Sequence, residues 1–526
     1  MIEPDRCREG QGRPLPAPLP GARPSGSPNA VPIGGVREQL VGEAARLSRG
    51  AVAPQLDAWL AGVPELETLA SWFGASLPRS PHELRLAIDR DIAAIDQLLC
   101  DQINAILHAR AFQRLEASWR GLHYLTEEAG KSTLAKVRLL SATWVEIVRD
   151  LERGSDFDRT QLFEKIYTQE FGTLGGEPFG LLIGDYEVQH RPSDDHPTDD
   201  VAALQSLAAI AAAAFAPFVL GAAPRLFELA SFHELGRGLD AAATFQQLDY
   251  QRWQSMRNGD DLRFVGLVVP HILLRAPYRG NDRRYPLRFT ETLDSRDAQD
   301  YLWGNASFAF GAVVVRAFAH FGWFADIRGA PLDEIGGGMV IGLPVASFGT
   351  EPPHVAPKPP LDCVLTDAQE LDLARFGFIA LRSLAFTGEA VFYGNLSLRQ
   401  GVRMDRAQAS TNVRLASMLQ YILCVSRFAH FLKVLGRSYI GSTRTAEDCQ
   451  RELQMWLTKY CNADDSASRE AKARQPLREA TIEVREVPGK SGSYACTVFL
   501  RPHFQLDDIA TGFRLTTQIA PVSIAA

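Results

Sequence analysis

The chain has 526 residues, of which 46% are apolar and 22% charged, and its formal net charge is -7. That length exceeds what one hydrophobic core usually supports, so two or three domains are expected, with enough apolar residues to bury them. A mildly acidic chain without a long basic run gives no support to general nucleic-acid binding, which needs clustered Lys and Arg against phosphate. The cysteines (Cys7, Cys100, Cys363, Cys424, Cys449, Cys461 and Cys496) are odd in number and contain no CxxC pair. They read as neither a disulfide framework nor a zinc site, and they fit a reducing compartment.

Residues 1–35 are rich in Pro, Gly and polar residues and lack an apolar signal-peptide core, which predicts a disordered or extended arm. Short helices are expected near 37–48 and 53–74. Ser80-Pro81-His82-Glu83 is a capping box with Pro at the first helical position. Apolar residues follow at helical spacing: Leu84, Ile88, Ile92, Ile95, Leu99, Ile103 and Ile106, then Phe112, Leu115, Trp119 and Leu122. The spacing predicts helix from Arg79 to Glu128, as one element or two. Residues 136–140 (KVRLL) read as a strand, and Thr143 with Glu146 caps a short helix. Strands are predicted at Phe179–Ile183, Phe264–Val269 and Met339–Leu343, and helices near 158–170, 199–215, 240–257 and 298–320.

Val201 to Ala223 is 23 residues without a charge, long enough to span a bilayer. It is mostly Ala, Pro217 interrupts it, and Asp199 and Asp200 suit a helix N-terminus. The expected outcome is a helix to about Phe215 and a short buried strand at Phe218–Leu220, with no membrane insertion. Residues 349–362 form a Pro-rich connector. Asp405 to Val434 and Ala446 to Tyr460 read as helices. Ala480–Val487 and Tyr494–Arg501 read as a hairpin, with a final strand near Phe513–Ile519. The fold class is therefore α/β and α+β: a layered α/β core and a small C-terminal α+β domain.

The motifs that could carry chemistry fail on inspection. Pro488-Gly489-Lys490-Ser491 lacks the upstream Gly of a phosphate loop (Val484 stands there) and precedes a strand instead of a helix. His233-Glu234 has Arg237 where a zinc protease needs its second His. Gly336-Gly337-Gly338 precedes a strand, whereas a dinucleotide fingerprint follows one. Asp194, Asp195, Asp199 and Asp200 around His196 read as a solvated acidic loop with a helix cap. No catalytic residue, cofactor or metal ligand is expected, and an α/β enzyme is kept only as a remote alternative.

Eight strings occur in one order: FQRLEASWRGLHYL (112–125), FGTLGGEPFGLLIGDYE (171–187), LRFVGLVVPHILLRAPY (262–278), YLWGNASFAF (301–310), GWFADIRG (322–329), ARFGFIALR (374–382), LQYILCVSRFAHFLK (419–433) and RPHFQLDD (501–508). Together they resemble the large subunit of the type VI secretion contractile sheath, the TssC or VipB family (also called ImpC or EvpB), over about residue 80 to the end. The resemblance implies a cytoplasmic structural protein. It implies pairing with a small sheath subunit (TssB or VipA), helical polymerisation of copies around an Hcp inner tube on a membrane-anchored baseplate, and recycling by the ClpV ATPase. A sheath protein of another phage-tail-like contractile particle is the nearest alternative. The implied layout is an arm over 1–35, a helical linker region over 36–78, an N-terminal sheath domain over 79–385 and a gpW-like sheath domain over 386–526. Phe112, Trp119, Arg120, Asp185, Trp303, Asn305, Trp323, Arg427 and His430 are the expected packing positions. Phe499, Arg501, His503 and Gln505 are candidates on a strand that pairs between subunits, since an added strand gains main-chain hydrogen bonds without a preformed pocket. Phe112, Leu115, Trp119 and Leu122 share one helical face, expected in the core or on the partner. Arg120 and Arg427 are expected to meet carboxylates or carbonyls. Ser438 stands where an acidic residue is expected after Arg437, and the resemblance does not extend to the Pro- and Gly-rich beginning.

Overall fold

The computed structural model describes residues 60–61, 66–74, 77–173, 175–280, 287–293, 300–331, 334–346, 357–400, 417–439, 445–464, 466–486, 494–503 and 513–519. The expected arm, the helix near 37–48, most of the Pro-rich connector, the first turns of the 405–434 helix, the hairpin turn and Gln505 lie outside these residues. Contacts divide the chain into two units, residues 1–102 and 103–526.

The first unit holds α1 (Leu66–Phe73) and most of α2 (Pro81–Leu107). The capping box forms as its sequence requires: Glu83 N–H donates to Ser80 Oγ at 3.2 Å, and Ser80 N–H to Glu83 Oε2 at 3.3 Å. Trp72 Nε1 donates to the buried Asp91 carboxylate at 3.0 Å.

The predicted long helix is two, because α2 ends at Leu107 and α3 runs Arg110–Gly130. Residues 136–140 form no strand. Lys136 and Arg138 ion-pair with Glu177 and Glu170, while Val137 and Leu139 stay exposed with no ladder beside them. Helix α4 (Trp144–Arg153) begins at the expected capping box on Thr143 and Glu146. The helix expected near 158–170 breaks into short turns, one a π turn at Glu164–Thr168. Strand β1 (Leu182–Val188) lies later than expected, because its register with β2 (Phe218–Ala222) starts at Leu182 opposite Phe218. Helix α5 (Asp200–Ala214) makes the crossover between them. The Ala-rich segment is therefore a buried helix and a buried strand, and among the described residues no helix is long and apolar enough to cross a membrane.

Next come α6 (Ala241–Phe245) and α7 (Gln251–Arg257), in place of one helix over 240–257. The break buries Tyr250, whose hydroxyl donates to the Leu226 carbonyl at 2.9 Å. Strand β3 (Val265–Val269) leads to β4 (Ile272–Arg275), which pairs antiparallel with β5 (Leu302–Gly304). That pairing takes the first residues of the helix expected from 298, so α8 runs Ser307–Phe321. Strand β6 (Met339–Val340), α9 (Asp367–Arg375), β7 (Phe378–Ser383) and β8 (Ala390–Phe392) complete a six-stranded sheet ordered β1-β2-β3-β7-β8-β6. Its first four strands are parallel and the rest antiparallel. Strands β2 and β3 are buried on both faces and read as continuous apolar runs, whereas the edge strand β1 is only partly buried. Phe218, Leu220, Val265, Leu267 and Phe378 face a core with α4, α5 and α7; Val219, Val268, Ile379 and Leu381 face one with α8.

The last third is α10 (Leu419–Tyr439), α11 (Ala446–Thr458), α12 (Arg469–Arg474) and an antiparallel sheet of β9 (Leu477–Glu486), β10 (Tyr494–Pro502) and β11 (Phe513–Ile519), ordered β11-β10-β9. Alternate residues Ala480, Ile482, Val484, Cys496, Val498 and Leu500 meet Phe428, Leu432, Leu453 and Leu457 in a third core. Leu419 and Leu423, at the start of α10, belong to the core of the first sheet. The fold is a layered α/β core followed by an α+β domain.

Candidate functional site

Helix α3 presents two faces. Gly121, Leu125 and Ala129 are buried, with the Phe308 ring of α8 seated on Gly121 so closely that a Cβ there would lie 2.3 Å from it. On the other side Phe112, Leu115 and Trp119 are 38%, 57% and 60% exposed. The helical spacing is as expected, but of that face only Leu122 packs onto a core, against Leu125, Phe308 and Ala312, while the other three stay outside. Beside it runs a charged network that no motif announced. Glu116 accepts from Arg120 Nε at 2.7 Å and lies 2.9 Å from Arg275 Nε. Arg275, at the end of β4, pairs with buried Glu291, which also accepts from the Tyr278 N–H and faces His108 at 3.2 Å. Burial alone would lower the Arg275 pKa, but hydrogen bonds and charge from Glu291 and Glu116 hold it raised. The sequence cue is a lone Arg ending an apolar run, which must find a partner to be buried.

A second network closes the carboxyl ends of β1 and β3. His271 faces Glu187 Oε1 and Asp362 Oδ2, both at 2.8 Å. Burial would lower its pKa, but the two carboxylates outweigh that and hold it well above the ordinary imidazole range. The acidic loop before α5 is not wholly solvated. Asp199 caps the helix through the Ala202 N–H. Asp200 is buried, accepting from Trp144 Nε1 at 2.7 Å, Thr198 Oγ1 at 2.7 Å and Gln189 N at 2.8 Å, with His196 Nε2 at 2.7 Å. Among the described residues no group of three or more His, Cys, Asp or Glu side chains could hold a metal ion. The Arg275 and His271 clusters each join separate elements of the fold through ion pairs.

Two family models match the chain: EvpB/VC_A0108, tail sheath N-terminal domain, over residues 89–399, and EvpB/VC_A0108, tail sheath gpW/gp25-like domain, over residues 408–519. The type VI secretion system sheath protein TssC1 of Pseudomonas aeruginosa is 36% identical over 437 residues, 82% of this chain and 86% of the relative. The chain belongs to the type VI secretion sheath large-subunit family. It is a structural subunit of a contractile tail sheath, and its C-terminal α+β domain is the gpW-like one. Two solved structures also align. One is the anti-feeding prophage baseplate, at 10% identity, 67% of this chain, 73% of that chain and a TM-score of 0.33. The other is its contracted helical sheath, at 11% identity, 66%, 73% and 0.30. Likeness at that level carries no weight on detail.

Other expected positions of the sheath chain fall at several places. Asp185 accepts from Ser118 Oγ of α3. Asn305 is buried where β5 meets α8; its amide donates to the Tyr186 carbonyl at 3.0 Å and accepts from Ser307 N at 2.9 Å. Trp303 lies beside Tyr301, with ring centroids 5.8 Å apart. Trp323 stacks on Phe428 at 4.0 Å, joining the loop after α8 to α10. His430 is buried, with Nε2 2.9 Å from the Ala214 carbonyl, and burial lowers its pKa to about 4. Arg120 meets a carboxylate as expected. Arg427 does not: it lies over the Phe431 and Phe318 rings at 4.6 and 5.4 Å, and burial lowers its pKa. On β10, Phe499 is 39% exposed and Arg501 lies 3.5 Å from Glu479. The His503 carbonyl accepts from the Tyr421 hydroxyl at 3.4 Å. Arg469 of α12 reaches Asp326 at 2.7 Å across a cleft of about 540 Å³ that Arg328, Gln420, Lys472 and His503 also line.

Proposed function

We propose that this sheath chain pairs with a small sheath subunit, and that the pairs polymerise helically around an Hcp tube on a baseplate, contract to propel it, and are recycled by a ClpV-type ATPase. The chain does no chemistry of its own and works in the cytoplasm. Beyond family membership, the observation that carries this reading is the exposed apolar face of α3. Phe112, Leu115 and Trp119 recur at helical spacing on a helix whose other side is already packed. Such a stripe is characteristic of a face covered on association. We assign it to the small subunit, with Arg120 at its rim. Phe499, Arg501, His503 and Gln505 are assigned to strand exchange between neighbours, for which the N-terminal arm is a donor. The layout of arm, linker and two sheath domains is proposed as the sequence suggested it, except that the passage between the sheath domains moves from 385/386 to after β8, which completes the first sheet.

The test is co-production with the neighbouring small subunit, followed by electron microscopy. Tubules with a cogwheel cross-section are expected. Monomers alone, stabilised by a small ligand, would overturn the reading in favour of an enzyme.

A further inference from the structure

Sheet edges are templates for strand addition, and natural proteins blunt the ones they do not use. Strand β9 is an edge of the C-terminal sheet. In its antiparallel ladder with β10, alternate residues turn their N–H and C=O groups outward. The chain's own residues meet these groups. Leu477 N–H donates to the Tyr460 carbonyl at 3.2 Å, and Asn462 N–H to the Leu477 carbonyl at 2.8 Å. Further along, the partners are side chains. Gln454 Nε2 donates to the Ala480 carbonyl at 2.9 Å, and its Oε1 accepts from Ile482 N–H at 3.0 Å. Gln450 Oε1 accepts from Val484 N–H at 3.0 Å.

The pattern is specific. In a parallel ladder, one residue donates to the carbonyl of residue i and accepts from the N–H of residue i+2. The Gln454 amide does this to Ala480 and Ile482, so it stands in for one residue of a parallel strand. Gln450 and Gln454 are four apart on α11, so both amides lie along one helix face. The same helix buries Cys449, Leu453 and Leu457, which fixes the amides against the edge.

We propose that Gln450 and Gln454 are an edge guard: their amides take up the outward main-chain groups of Ala480, Ile482 and Val484, so that a second chain cannot add there and strand exchange between subunits is confined to the β11 side of the sheet. The confinement to β11 rests on the strand-exchange reading above; the closure of β9 does not. The guard gives the sheet one direction of growth, and the excluded occupant is a strand of a second copy of this chain.

The test uses the full chain with its small subunit, before polymerisation. Gln450→Met with Gln454→Met keeps the helix and its bulk and removes both amides. Hydrogen exchange of peptides covering 477–486 is expected to quicken at least tenfold, with β10 unchanged. Sedimentation is expected to show a new, concentration-dependent self-associated species. Adding Val484→Pro removes an outward N–H that the β9–β10 ladder does not use, and is expected to abolish that species. Unchanged exchange and sedimentation in the folded double variant would overturn the guard, as would a species that survives Val484→Pro. If the double variant does not fold, Gln450→Met alone carries the same readouts. Tubule formation by the unaltered chain is scored separately, so failure of the assembly reading is not mistaken for failure of the guard.

Discussion

At the scale of single residues, His430 carries the clearest consequence of burial. It sits among the Phe171 and Phe215 rings, near Arg427 and Lys433, and its one polar contact is the Ala214 carbonyl. Burial lowers its pKa to about 4, from an ordinary 6.5; the carbonyl opposes the shift and the two cations add to it. Between those values the unfolded chain binds the proton and the folded chain does not. The contribution is therefore complete above pH 6.5 and is lost as pH falls toward 4, to the extent of ~3 kcal/mol. Denaturant titrations at pH 7 and pH 5 are expected to show about 2 kcal/mol of that loss, and His430→Gln is expected to flatten the dependence. His430 entered the sequence reading as a packing position implied by the family resemblance. The carbonyl it meets was not legible there, because Ala214 lies 216 residues away.

At the scale of elements, α10 joins two cores. Its first turn packs with the α/β sheet, while Phe428 and Leu432 pack with the C-terminal sheet. Trp323 stacks on Phe428, and Tyr460 and Phe431 meet its ring edge-on. Trp323→Ala removes the centre of this cluster and is expected to cost about 3–5 kcal/mol, read as a lower denaturation midpoint. Elements with strong local patterns were found from sequence: the capped starts of α2 and α4, the Ala-rich helix, and the β9–β10 hairpin with its alternating burial. Misread elements depended on distant partners. The 136–140 segment alternates like a strand but has no neighbour. Residues 302–304 sit where helix was expected because β4 draws them into a ladder. Strands β7 and β8 went unread.

At the scale of the whole molecule, function lies in surfaces that one chain leaves uncovered. Trp119 is 60% exposed, and replacing an exposed side chain with no internal partner normally changes stability by no more than about 0.5 kcal/mol. Trp119→Asp is therefore expected to leave the melting temperature of the chain nearly unchanged and to abolish co-purification of the small subunit, along with tubules. A fall in melting temperature together with normal pairing would place the face in folding, not assembly. The sequence by itself determined the fold class, the family, the helical face of α3 and the failure of every catalytic motif, because each is carried by local spacing or by ordered strings. Only the tertiary structure decided that Phe112, Leu115 and Trp119 stay outside, that Arg275, Glu291 and Glu116 share one buried network, and that Gln450 and Gln454 bond the outer edge of β9. Each of these depends on which distant backbone or side-chain group comes to lie opposite, and hydrophobic periodicity encodes burial without naming the partner.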